Sequence, residues 1–255
     1  MIPSFEVSNF PHDHRSYPLY TKGHGPGVIV IHELPGLTTE CIALANRIVE
    51  AGYRVYMPLL FGRPGEKAVK RNLMRVCISK EFRVFAMNKS SPIVAWLKGV
   101  CAHALHECGG TGVGVIGMCL TGNFAISLMA DPTVLAPISC QPSLPFPISK
   151  KRTEALAMSP EELRAATQRA KQGQSLMCFR FTCDKTSPEA RFNKLVDTFG
   201  SAFKGRQIDS SPSNRHGIPT NAHAVLTGDF VDKTGHPTRE ALDQVLAFFE
   251  DRLRT

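Results

Sequence analysis

The stretch VGVIGMCLTGNFAISLMA, residues 113–130, puts a cysteine where an apolar run gives way to a helical pattern. Gly117 stands two residues before Cys119 and Gly122 three after it. Small residues at such a junction let the backbone turn sharply, and a nucleophile carried on a strand-to-helix turn needs small neighbours to avoid clashes. A helix starting just behind the sulfur aims free N–H groups and the positive end of its dipole at it, which favours a thiolate and an adjoining oxyanion. The chemistry of such a group is attack on a carbonyl carbon, with protons managed by a histidine that an acid orients. Cys101 and Cys108 fall in a helical pattern, and Cys178 and Cys183 in or at the end of a strand, which are settings of core cysteines rather than reagents.

In strand–nucleophile–helix topologies the acid and then the histidine come later in the chain. Asp184, in FTCDKTSPE, stands just past a buried strand, where catalytic groups of parallel sheets gather. His216, His223 and His236 all follow it: His223 lies in a loop ahead of the terminal helix, and His236 immediately before that helix, where it suits a cap. Gly112, Gly114 and Gly117 also match the dinucleotide fingerprint G-x-G-x-x-G. They flank and interrupt the strand and end before the turn, so they do not place a pyrophosphate on a helix N-terminus.

The elements that must hold these residues alternate as in a parallel sheet with crossover helices. Strands are expected at 27–33, 53–58, 113–117, 133–141, 175–183 and, briefly, 205–211. Helices are expected from Thr38 or Thr39 to Gly52, from Ser91 to Cys108, from the elbow to Ala130, from a Ser159–Glu162 capping box to Gly173, over SPEARFNKLVDTFG, and at the C-terminal end; two less distinct helical stretches fall at 67–87. This predicts a three-layer α/β domain over residues 1–255, with 1–26 supplying one or two edge strands.

With 255 residues, 43% hydrophobic and 20% charged, the chain has an ordinary globular composition. A formal charge of +8 leaves room for an anionic substrate. The longest basic run, KKR at 150–152, reads as a solvated loop, so no nucleic-acid partner is expected. No run of 18 or more apolar residues occurs, so neither a spanning helix nor a membrane partner is expected. The opening MIPSFEVSNFPHDHR lacks the basic-then-apolar order of a secretory signal, and the 8 cysteines form no CxxC pair. Reduced thiols and a cytoplasmic location are the expectation. Zinc-ligand spacing is absent, HDH at 12–14 reads as an exposed turn, and no metal or other cofactor is expected.

Taken together, these residues resemble the dienelactone hydrolase family, a cysteine-using branch of the α/β-hydrolases, from about Gly27 to Leu253. The family's HE-x-x-G loop is matched by HELPGL (32–37), its AGY-x-V-x-x-P-x-L-(Y/F)-G-R segment by AGYRVYMPLLFGR (51–63), and its elbow by GMCLTG. The resemblance implies an α/β-hydrolase fold with a mostly parallel sheet and helices on both faces. It implies a Cys119–His223–Asp184 triad, selecting His223 among the three histidines, and an accessory carboxylate at Glu33. The backbone N–H groups of Leu34 and Leu120 would form the oxyanion hole. On this reading Cys119 rests as a shielded thiol until substrate binding frees Glu33 or His223 to take its proton.

Two departures from the family bear on substrate and turn. Thr121 replaces the second glycine of the elbow pair, which a negative φ would accommodate and which would add a hydroxyl at the site rim. Thr227 stands where members that cleave dienelactone carry an anion-binding arginine, and Arg63, Arg75 or Arg83 are the remaining sources of such a contact. A thiolate leaves a tetrahedral intermediate more readily than an unactivated alkoxide, so the expected substrate is a small activated ester or lactone. A thioesterase or acyltransferase could use the same groups. A ligand-binding or redox-sensing protein would have no need of all four side chains, and a metallohydrolase would need His216, His223 and His236 together.

Overall fold

The computed structural model describes residues 2–67, 91–143, 155–156 and 158–254. Its strands are β1 (Glu6–His12), β2 (Arg15–Lys22), β3 (Gly27–Ile31), β4 (Arg54–Pro58), β5 (Val113–Met118), β6 (Val134–Cys140), β7 (Leu176–Phe181) and β8 (Phe203–Ile208). They form one sheet in the order β1-β2-β4-β3-β5-β6-β7-β8. The pairings β1–β2 and β2–β4 are antiparallel and the rest parallel. The expected edge strands are thus a hairpin, turned at Asp13 and His14 with φ of 47° and 58°. Two positive φ values in a two-residue loop match the twist of paired strands.

The helices are α1 (Thr39–Glu50), α2 (Pro92–Cys108), α3 (Gly122–Leu128), α4 (Pro160–Lys171), α5 (Glu189–Phe199) and α6 (Pro237–Leu253). The caps read at Thr38, Ser91 and Ser159 are in place, whereas α5, read as a capped helix, follows Pro188 with no side-chain cap bond. Thr38 Oγ1 accepts from the Cys41 N–H, Ser91 Oγ from the Ile93 N–H, and Ser159 and Glu162 bond reciprocally. The α3 helix ends at Leu128 rather than Ala130, and β3 at Ile31 rather than Glu33. β8 starts at Phe203, earlier than expected, because all six residues of β7 find partners in register from Leu176–Phe203 to Phe181–Ile208. The helical stretches expected at 67–87 lie, but for residue 67, outside the described residues.

Alternation along the central strands explains the layers. Val28 and Val30 of β3 join α1 and α6 in one core, with Leu44, Ile48, Ala241, Val245 and Phe249. Ile29 and Ile31 face the other side, against Trp96, Leu97 and Val100 of α2 and Phe124 of α3. The α4 and α5 helices cover β7 on that same side through Ala166, Phe192 and Leu195. Every parallel strand therefore delivers its C-terminal end to one rim of the sheet, the rim at which ligands of such sheets bind.

Candidate active site

Cys119 follows β5 directly, in a single 3-10 turn (Cys119–Thr121) that runs into α3. Its φ is +58°, a conformation a side chain with a Cβ seldom takes. Such strain at a reactive residue persists only where surroundings enforce it. Here Thr121 does so: its Oγ1 accepts from the Met118 N–H at 3.0 Å, and its one hydrogen lies within reach of the carbonyls of Met118 at 2.9 Å and Ile31 at 3.0 Å. Thr121 has a φ of −78°, as its β-branched side chain requires. Its hydroxyl is fully buried behind the turn and not at the rim of the site, which corrects the sequence expectation. The reason is that the turn leaves two backbone polar groups to satisfy inside the sheet.

The loop after β3 runs alongside, since Ile31 pairs with Gly117. His32 is buried and bridges two loops: Nδ1 donates to the Glu33 carbonyl at 2.8 Å, and Nε2 accepts from the Leu60 N–H at 3.1 Å. A carbonyl only accepts and an amide only donates, so one neutral tautomer is enforced. Burial pulls the His32 pKa down to about 4, against the opposing hydrogen bond to the Glu33 carbonyl. Glu33 is buried, and its carboxylate accepts from Thr227 Oγ1 at 2.6 Å. Burial pushes its pKa up, opposed by the Thr227 bond and the charge of His223. Thr227 therefore binds the accessory carboxylate itself.

Asp184 sits past β7 in a tight turn: Oδ1 accepts from the Thr186 N–H and hydroxyl, at 2.9 and 2.7 Å, and from the Ser187 N–H at 3.2 Å. Oδ2 is 2.6 Å from His223 Nδ1. Cys119 lies close enough to His223 to act on the charge of its ring. With Nδ1 committed to Asp184, Nε2 is the nitrogen left for the sulfur. Burial alone would lower the His223 pKa, but the bond to Asp184 and the influence of Asp184 and Cys119 on the ring push it up to about 10. Burial would raise that of Asp184, and the bond and charge of His223 with the Thr186 bonds hold it below the usual value. Of the other histidines, His236 caps α6, its Nδ1 accepting from the Thr238 N–H, and His216 packs edge-on against it at 5.4 Å. The three do not converge, and among the described residues no three His, Cys, Asp or Glu side chains are grouped as metal ligands would be.

The structure thus brings Cys119, His223 and Asp184 together and sets Glu33 beside Thr227, with Leu34 and Leu120 on the two loops flanking the sulfur. Burial pushes up the thiols of Cys41, Cys101, Cys140 and Cys178, so those are core groups. Arg63 is exposed and faces Glu66 at 3.8 Å, while Arg75 and Arg83 lie outside the described residues. Three positioning groups carry no motif in the sequence. Asp229 Oδ2 accepts from the N–H groups of both His223 and Ala224 at 2.8 Å, pinning the histidine's backbone. Thr186 Oγ1 lies 2.9 Å from His223 Nδ1. Arg180 donates from within β7 to the carbonyls of Thr182, Asp184 and Ser187, clamping the acid's turn. A charge inside the apolar run LMCFRF was the available signal for Arg180, because buried charges need partners.

A mostly parallel sheet with helices on both faces, a nucleophile-type elbow after its fifth strand and an acid and histidine further on defines the α/β-hydrolase fold. The sequence profile described as the dienelactone hydrolase family matches residues 16–251, and the chain belongs to that family of hydrolases. Solved structures share the fold at low sequence identity. A putative dienelactone hydrolase from Klebsiella pneumoniae subsp. pneumoniae MGH 78578 superposes with a TM-score of 0.65 at 16% identity, covering 96% of this chain and 97% of that one. Dienelactone hydrolase from Anabaena variabilis ATCC 29413 gives 0.63 at 14% identity, covering 98% of each chain. The thioesterase domain from the curacin biosynthetic pathway gives 0.57 at 12% identity, covering 95% and 99%. No curated protein sequence matches the chain. Among the described residues no helix is long and apolar enough to cross a membrane.

Proposed function

We propose that the protein hydrolyses small activated esters or lactones through an acyl-cysteine intermediate. The observation that carries this reading is the strained Cys119 beside an imidazole whose charge it influences and whose Nδ1 is held 2.6 Å from Asp184. The Cys119 thiolate attacks the carbonyl carbon, and the oxyanion lies against the N–H groups of Leu34 and Leu120, where each such donor is worth about 3 kcal/mol in the transition state. The C–O bond to the leaving group then breaks, and His223 supplies the proton. Acylation takes away the influence of the sulfur that raises the imidazole, so the proton is released when the leaving group needs it. The neutral imidazole next takes a proton from water as that water attacks the acyl-sulfur bond, and free Cys119 returns.

Glu33, held toward its neutral form, serves as the second proton reservoir beside His223. Because a thiolate expels an enolate or a thiolate far more readily than a plain alkoxide, enol esters, lactones and thioesters are favoured over alkyl esters. The last of these keeps a thioesterase reading in play, with the curacin thioesterase domain as its structural parallel.

The test is intact-protein mass spectrometry after mixing with p-nitrophenyl acetate, for wild type and Cys119→Ala. An acetyl adduct and a p-nitrophenol burst in wild type alone is the expected result. Equal background release from both proteins, with no adduct, would overturn the reading. Comparison of matched oxoester and thioester substrates then separates the two hydrolase variants.

A further inference from the structure

Packed against the backbone of the elbow lies a buried polar assembly that the proposed reaction does not use. Asn123, in the first turn of α3, donates from Nδ2 to the carbonyls of Leu120 at 2.8 Å and Ser143 at 2.7 Å. Its Oδ1 accepts from Nη2 of Arg191, which reaches across from α5. The Ser143 N–H in turn donates to the Cys119 carbonyl at 3.1 Å. Arg191 is 1% exposed, its Nε has no hydrogen-bond partner, and among the described residues it forms no ion pair.

A buried guanidinium without a carboxylate is costly, and its retention at this place calls for a local reason. An arginine can only donate, so it compels Asn123 to present Oδ1 to it and both Nδ2 hydrogens to the opposite side. Those hydrogens meet two carbonyls that can only accept. The amide therefore has a single orientation, fixed from both ends. The consequence falls on Leu120. Its N–H belongs to the peptide unit whose carbonyl, that of Cys119, is held by Ser143, and its own carbonyl is held by Asn123. Both peptide planes flanking Leu120 are thereby fixed, and with them the direction in which its N–H points.

The geometry points to Asn123 and Arg191 as positioning residues for the oxyanion hole: they act through Leu120 and touch neither substrate nor sulfur. This inference rests on the acyl-cysteine reading. Hydrogen bonds in such a chain also polarise one another, so the Arg191 charge sharpens the donors that hold the elbow. Preorganised donors of this kind are what stabilises a tetrahedral intermediate, and a displacement of the donor is felt in acylation while the thiol itself is untouched.

Two reactions of the same sulfur separate these effects. Acylation by p-nitrophenyl acetate passes through an oxyanion; alkylation by iodoacetamide does not. Asn123→Asp keeps the volume and the acceptor for Arg191 but loses both donors, and Asn123→Ala removes the whole amide. Both variants are expected to lower the burst rate constant about 10- to 100-fold, with alkylation of Cys119 within about twofold of wild type. Asn123→Asp gains an ion pair with Arg191 but turns its second oxygen toward the Leu120 and Ser143 carbonyls, so the alkylation rate and urea unfolding of both variants report that the elbow is folded before acylation is compared. Wild-type burst rates in both variants would overturn the inference, and so would acylation and alkylation falling together, which marks a general loosening of the elbow. If wild type forms no adduct, the acyl-cysteine reading fails and this one with it. A normal wild-type burst with unaffected variants sinks the positioning role alone.

Discussion

At the scale of single residues, His223 is the group whose state reports on its neighbours. Burial favours the neutral ring, and only the influence of Asp184 and Cys119 reverses that and pushes its pKa up to about 10. The sulfur is one of the two, so Cys119→Ala should bring the titration of His223 down toward its ordinary value of about 6.5. Asp184→Asn removes the other and should do the same. Ring-proton NMR gives the measurement: the wild-type ring stays protonated through pH 8, whereas the ring in Cys119→Ala titrates lower. Superimposable curves would mean that sulfur and imidazole share no charge, and the proton transfer drawn between them would fall. The same residue shows what a sequence displays. Cys119, Asp184 and His223 each stand at a marked junction of elements, so position along the chain betrays them. Asn123, Arg191 and Thr227 do not, because their partners lie 68 and 194 residues away in the chain and only the folded sheet brings them together.

At the scale of elements, the elbow between β5 and α3 is held from inside by close backbone approach. A Cβ at Gly117 would lie 2.3 Å from the Thr121 carbonyl oxygen and 2.9 Å from its carbon. Since that neighbour is backbone, relief requires the turn itself to move, and Thr121 is tied to both β5 and β3. Gly117→Ala should therefore cost about 2–4 kcal/mol in urea unfolding and slow acylation. Gly228→Ala is the control: the nearest atom to its Cβ is Ala224 Cβ at 3.4 Å, and the change should stay within about 0.5 kcal/mol. Equal stability of the two variants would mean the elbow is slack. Strand and helix order and most caps were legible in the sequence, because periodicity, Ser and Thr caps and Gly stops are local signals. The extent of β8 was not, since its register with β7 decides it. Nor was the direction of the Thr121 hydroxyl, which answers to buried backbone groups on a strand 90 residues away.

At the scale of the whole molecule, adjacent buried groups oppose each other in the pH dependence of stability. His32 has its pKa lowered to about 4, so between pH 6.5 and 4 the unfolded chain binds a proton that the folded one refuses. Its contribution is present above pH 6.5 and is lost as pH falls, at up to about 1.4 kcal/mol per pH unit and about 3 kcal/mol in all. Glu33 has its pKa raised, so above pH 4.5 the folded chain keeps a proton that the unfolded one releases. Its contribution is lost as pH rises. Within the range where both act, the two slopes have opposite signs and largely cancel. Glu33→Gln keeps the shape and the Thr227 neighbour while removing the titration, so it should expose the His32 slope alone. Urea unfolding at pH 4.5, 5.5 and 6.5 checks this: the stability of Glu33→Gln minus that of wild type should increase with pH. Parallel curves would show that Glu33 titrates in the fold as it does in the unfolded chain, and is therefore charged at neutral pH. A carboxylate already charged at rest would no longer be a proton donor beside His223, and would instead stand ready to take the proton of Cys119.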